Sequence, residues 1–126
     1  IRWGSGWTTE EGVVLAHEEL VTPADPPRSY AYCSDTRYLP DLHKRIAGVS
    51  TLYHESTYDD SNIDRAQLYY HSTAGQAAQV ARDAKVGKLL LGHFSARHYN
   101  EEALLQDARK VFPESFLTNE GLTFDV

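Results

Sequence analysis

The stretch Lys88-Leu89-Leu90-Leu91-Gly92-His93-Phe94-Ser95-Ala96-Arg97 decides how the rest of the chain is read. Leu89, Leu90 and Leu91 form a short continuous apolar run, the pattern of a strand buried on both faces. Gly92 permits a turn or a close approach of backbone, and His93 follows at the strand's C-terminal end. In open α/β sheets that edge is where ligands bind. Three other runs share this grammar. Tyr30-Ala31-Tyr32-Cys33-Ser34 leads into Asp35, Val49-Ser50-Thr51-Leu52-Tyr53 into His54 and Glu55, and Ala66-Gln67-Leu68-Tyr69-Tyr70 into His71. A single sheet edge would collect an imidazole or a carboxylate from each.

The bulk numbers bound the class. At 126 residues and 41% hydrophobic, the chain suits one domain with a modest core. Its 24% charged residues and lack of low-complexity sequence fit a folded protein. No apolar run is long enough to span a bilayer, so no membrane association is expected. The net charge of −6 argues against a broad basic face that grips nucleic acid nonspecifically. The single cysteine, Cys33, excludes an internal disulfide and fits a reducing, cytoplasmic setting, with a buried thiol as its default reading. The chain begins at Ile1 and holds no Met, which reads as a piece of something longer.

Along the chain, residues 1–27 read as a β-rich entry with a hairpin around 16–18, closed by the proline-rich connector 22–27. Residues 39–48 predict a helix with Leu39, Leu42 and Ile46 on one face and Gly48 past its end; His43 lies off that face. Residues 58–62 are a polar, turn-prone loop. Thr73-Ala74-Gly75-Gln76 is a capping-box pattern opening a helix to about Val86, whose Ala74, Ala77, Ala78, Ala81 and Ala84 form a face of small residues. A last helix is capped by Asn100, carries Glu101 and Glu102 in its first turn and stops before Pro113. Residues 116–117 and 122–124 read as short terminal strands. The alternation of strand and helix implies an α/β layered fold.

The chemistry gathers at the strand ends. His71 precedes a helix N-terminus, a place favourable to phosphate, where it can either help cap the helix or protonate a leaving oxygen with Glu55 orienting it. Asp35 and His93 are the natural metal-ligand pair. Zinc generally needs at least three protein donors, which His54, Glu55 or His71 would have to complete. Ser95 and Arg97 can present a hydroxyl and a guanidinium to phosphate, or simply form a solvated loop. His17 and His98 have no supporting constellation.

Four motifs in order make the reading specific: Cys33-Ser34-Asp35-Thr36, His54-Glu55-Ser56-Thr57, His71-Ser72-Thr73-Ala74-Gly75-Gln76-Ala77-Ala78 and Gly92-His93-Phe94-Ser95-Ala96-Arg97. Together they closely resemble the C-terminal half of ribonuclease Z, the tRNA 3′-processing endonuclease of the metallo-β-lactamase superfamily. The resemblance covers nearly the whole chain. One departure is His98, where the family usually has Tyr; Tyr99 follows it.

The resemblance implies the C-terminal half of a metallo-β-lactamase-type αββα sandwich, with residues 1–126 a fragment of that domain. It implies two zinc ions per complete site, with Asp35 bridging them and His93 the last ligand. Glu55 and His71 would be the pair that moves a proton to the leaving group. Ser72, Thr73, Ser95 and Arg97 would lie where substrate phosphate is held. The family's remaining ligands sit in a His-x-His-x-Asp-His motif and one further His, N-terminal to this half and absent here, as is the basic arm that grips tRNA. The implied substrate is precursor tRNA and the implied assembly a homodimer. The fragment alone is expected to be inactive and, with a sheet face uncovered, to self-associate. Two alternatives are a phosphodiesterase of the same fold acting on small substrates, and a metal-free, non-catalytic interaction fragment.

Overall fold

The computed structural model describes residues 6–16, 20, 22–97 and 100–126; His17, Glu18, Glu19, Val21, His98 and Tyr99 lie outside them. A two-stranded antiparallel ribbon comes first, β1 (Trp7–Thr8) against β2 (Val14–Leu15). Its turn is the Thr9–Gly12 segment, closed by Gly12 N–H to Thr9 O at 2.9 Å. Val14-Leu15 is thus the second arm of a hairpin that turns at Gly12, and the hairpin expected around 16–18 falls on residues outside those described.

The main sheet has four parallel strands in the order β3 (Tyr30–Cys33), β4 (Thr51–Glu55), β5 (Lys88–Gly92) and β6 (Ser115–Leu117). Parallel neighbours need crossovers. These are α1 (Leu42–Arg45), then α2 (Ile63–Leu68) with α3 (Ala74–Ala84), then α4 (Glu101–Val111). The leucines of β5 behave as the apolar run predicts, with Leu89 and Leu91 at 0% and Leu90 at 6% exposure.

One face of the sheet carries the core. Leu52, Leu89 and Leu91 pack under the alanine face of α3 and under Leu104, Leu105 and Ala108 of α4. The five alanines predicted on the small face of α3 are all buried, which lets helix and sheet backbones approach closely. The capping box is present: Thr73 Oγ1 accepts from Gln76 N–H at 3.2 Å, and Gln76 Oε1 accepts from Thr73 N–H at 3.0 Å. The helix ends at Ala84 rather than Val86 because Lys85 turns left-handed, at φ +54°. Asn100 caps α4 through Ala103 N–H at 3.1 Å. On the opposite face of the sheet Tyr30 and Tyr32 are 49% and 64% exposed, and Tyr32 stacks on Tyr53 with centroids 4.6 Å apart. That face is open only at its edge strand, since Thr51 and Leu90 on the same face are 1% and 6% exposed.

Three further expectations are corrected. Residues 66–70 form no strand; they belong to α2 and the turn after it. The 3-10 turn Asp60–Asn62 starts that helix, and Leu68, Tyr69 and Tyr70 stay more than half exposed because no core faces them. The helix read over 39–48 shrinks to four residues. Leu42 and Ile46 still reach the core, Leu39 remains 42% exposed, and Gly48 takes φ +76° past the end. Residues 122–124 carry no strand.

Candidate active site

Asp35 follows β3, Glu55 ends β4 and His93 follows β5, so the parallel register sets all three along the C-terminal edge. Asp35 and His93 leave their strands at φ +55° and +59°, a left-handed turn that Asp and His tolerate better than most residues. Gly92 stays within β5 because the Tyr53 ring occupies the space a side chain there would need. The sharp turn falls on His93 instead. His71 arrives from α2: its N–H bonds Ala66 O at 2.8 Å, and Tyr70 beside it sits at φ +59°. For a bulky aromatic that conformation is a genuine outlier, a strain of about 1–3 kcal/mol that the surrounding structure must hold.

Glu55 is fully buried and completely used. Its Oε1 accepts from Thr36 N–H at 3.0 Å and from His71 Nδ1 at 2.7 Å. Its Oε2 accepts from Thr57 N–H at 3.2 Å, Thr57 Oγ1 at 2.8 Å and Ser72 N–H at 3.1 Å. A carboxylate offers about four lone-pair directions, so five donors leave none for a metal. The same contacts fix the carboxyl group in place beside the His71 imidazole.

That network decides the tautomers. With Nδ1–H of His71 committed to Glu55, its Nε2 is the atom left to carry a proton to a substrate. The hydroxyl of Thr57 lies 3.1 Å from His93 Nδ1 and 3.0 Å from His93 O. Nδ1–H of His93 therefore donates to Thr57, and Nε2 keeps a free lone pair, the arrangement of a metal-ligating histidine held from behind. His71 and His93 lie with ring centroids 5.5 Å apart. The Asp35 side chain is 74% exposed, and Oδ1 approaches His71 Nδ1 at 3.6 Å.

Ligand atoms of Asp35, Glu55, His71 and His93 all fall within 4.8 Å of one another. The donor set fits a metal, but not as four equal ligands. Glu55 is saturated and His71 is tied to it, so Asp35 and His93 are the pair with free lone pairs. Two ligands are fewer than a zinc site needs, and the others must come from outside these residues.

His54, which could in principle complete a metal site, does not. It is fully buried, its Nδ1–H donates to Glu55 O at 2.7 Å, and Nε2 has no hydrogen-bond partner. Burial pushes its pKa below the ordinary imidazole value, partly opposed by the Glu55 carbonyl and charge. Ser72 and Thr73 stand at the start of α3. Both are fully buried, Ser72 Oγ donates to Thr36 O at 2.7 Å, and Thr73 is the helix cap. Their hydroxyls hold the turn beside Glu55 and the start of α3. Ser95 and Arg97 do line an open cleft together with His71. Cys33 is half-buried, with burial raising its thiol pKa, and it takes no part in the site. Thr57 is the residue that sequence reasoning passed over; only its place in the third motif position after His54 could have drawn attention to it.

No protein-family model matches the chain. Over 122 residues it is 48% identical to a ribonuclease Z of Bacteroides fragilis, covering 97% of this chain and 40% of that protein. Among solved structures, human tRNase Z, short form, superposes with a TM-score of 0.52 at 28% identity, over 71% of this chain and 29% of that one. A metallo-β-lactamase fold protein from Bacillus subtilis superposes with a TM-score of 0.68 at 20% identity, over 75% of this chain and 38% of that one. The latter is a likeness of fold alone. The chain spans about two fifths of the length of the curated relatives it matches. It belongs to the ribonuclease Z family and carries part of a metallo-β-lactamase-type fold.

Proposed function

We propose that this chain is the C-terminal part of a zinc-dependent endoribonuclease that removes 3′ trailers from precursor tRNA. The observation that carries the reading is the division of labour at the edge of the sheet. A saturated Glu55 fixes His71 with Nε2 outward, and Asp35 and His93 keep free lone pairs beside it. A histidine held by a buried carboxylate next to a metal pair is suited to protonating a leaving oxygen. Asp35 and His93 Nε2 would hold the ions jointly with ligands from the rest of the protein. When bound, such ions polarise phosphate oxygens and lower the pKa of water.

Water attacks phosphorus and gives up a proton to solvent, the bond from phosphorus to O3′ breaks, and the proton on His71 Nε2 passes to that oxygen; His71 then takes a proton back from solvent. Glu55 stabilises the imidazolium before transfer and holds the ring in place after it. The products are a tRNA with a 3′-hydroxyl and a trailer with a 5′-phosphate. Zinc as the metal, a homodimer and a cytoplasmic setting belong to the same proposal, the last in keeping with a lone Cys33. Among the described residues no helix is long and apolar enough to cross a membrane.

The test is cleavage of a precursor tRNA by the full-length protein and its His71→Ala variant. Losing the general acid should slow the chemical step about 10²–10⁴-fold. Hydrolysis of a small phosphodiester without cleavage of precursor tRNA would overturn the substrate, and unchanged activity in the variant would overturn the role of His71.

A further inference from the structure

We infer that the cleft beside His71 is a nucleoside subsite, in which Tyr69 stacks on the base flanking the scissile phosphate and Arg65 binds its backbone phosphate. The inference deepens the endonuclease reading and rests on it for the identity of the RNA. The cleft has a volume of about 450 Å³, within the ~300–1,000 Å³ range of small-molecule sites. Among the described residues its wall is formed by His71, Arg65, Arg97, Tyr58 and Tyr69, with Asn62 and Ser95.

Three observations point to a nucleotide. The first is charge. The protein has 18 acidic and 12 basic side chains other than His, yet no lining residue is acidic. Neither guanidinium, of Arg65 or of Arg97, has an ion pair among the described residues, unlike Lys44, Arg82 and Lys110. Two unpaired cations in a carboxylate-free wall suit a phosphate.

The second is the aromatic surface. Tyr58 already meets His71 edge-on, with centroids 6.1 Å apart at 64°. Tyr69 is 56% exposed and has no ring or cation partner among the described residues, so its face is open to a base. The third is placement. Arg65 of α2 and Tyr69, which caps its C-terminus, lie four residues apart and are joined by Tyr69 N–H to Arg65 O at 3.0 Å. That helix ends in the turn that delivers His71. A base on Tyr69 is thereby tied to the residue that handles the leaving oxygen.

The experiment uses the full-length protein with Arg65→Ala, Tyr69→Ala and Tyr69→Phe, and precursor RNAs carrying one abasic nucleotide either 5′ or 3′ of the cut. In the unmodified protein, an abasic nucleotide at one of the two positions should lower kcat/KM about ten-fold, in the range of one base stacked on an aromatic ring. Tyr69→Ala should abolish that penalty and Tyr69→Phe should keep it. Arg65→Ala should raise KM about ten-fold and reduce the slope of log KM against log salt by about 0.7–0.9, one phosphate contact. An abasic penalty unchanged by Tyr69→Ala, or a salt slope unchanged by Arg65→Ala, would overturn the assignment. Binding of a short single-stranded RNA, read by fluorescence anisotropy, separates the two readings. Weaker binding by both alanine variants, with no cleavage by any protein, would uphold the subsite and overturn only the endonuclease.

Discussion

Glu55 and Asp35 are both carboxylates at the C-terminal ends of neighbouring parallel strands, and they are in opposite states. Glu55 is fully buried and accepts five hydrogen bonds. The Asp35 side chain is 74% exposed and approaches His71 at 3.6 Å. A buried anion is stable only when its lone pairs are filled, so the Glu55 network has to be complete within this chain. An exposed anion is solvated and can wait for a cation. The difference separates what these residues finish by themselves, a positioned imidazole, from the lone pairs that Asp35 leaves exposed.

Replacing each carboxylate by its amide tests that separation most severely. Glu55→Gln turns an acceptor into a donor facing backbone N–H groups and His71. It should cost about 3–5 kcal/mol of stability in a denaturant melt, the range for breaking a buried charge network, and remove nearly all cleavage. Metal content by native mass spectrometry should be unchanged. Asp35→Asn should do the reverse, with stability within about 0.5 kcal/mol and bound metal lost. Loss of metal in Glu55→Gln without loss of stability would show that Glu55 is a ligand and erase the distinction.

How far the sequence exposed this arrangement depends on what each residue touches. Asp35, Glu55 and His93 were legible because strand patterns place them at one edge, and parallel pairing leaves little freedom there. The alanine face of α3 and its capping box were legible for the same reason, being local and periodic. Residues 66–70 were not. Aromatic and apolar residues in a row look like a strand, but Tyr69 and Tyr70 face solvent and α2 begins from the Asp60–Asn62 turn. The cleft built on Arg65 and Tyr69 was hidden by that misreading. The burial of the Ser72 and Thr73 side chains is visible only in the fold, because it depends on Thr36 and Gln76 meeting them there.

Thr57 joins the two halves of the comparison, since one hydroxyl meets Glu55, His71 and the backbone and ring of His93. Thr57→Val keeps the shape and removes the link. It should weaken metal binding about 10–100-fold, as loss of a partner behind a ligand does, and cost about 1–3 kcal/mol for the donor and acceptors left unpaired. Thr57→Ser should restore metal affinity. A valine variant with normal metal affinity would show that His93 is held by its backbone turn alone.

The smallest effect belongs to His54, which packs under the same strand end as Glu55 and takes no part in the chemistry. Its Nδ1–H is committed to Glu55 O and its Nε2 is buried without a partner, so a second proton would place an unsolvated charge in the core. Its pKa is lowered by burial in the folded state and returns to about 6.5 in the unfolded chain. Above that pH both states are neutral and the residue leaves stability flat. As pH falls below it, the unfolded chain takes up the proton first, and stability declines until the folded pKa is reached. His54→Gln should flatten the decline just below about pH 6.5 in denaturant melts. A slope identical in both proteins would mean that the folded state accommodates charged His54, and that the buried end of β4 is more open than its packing indicates.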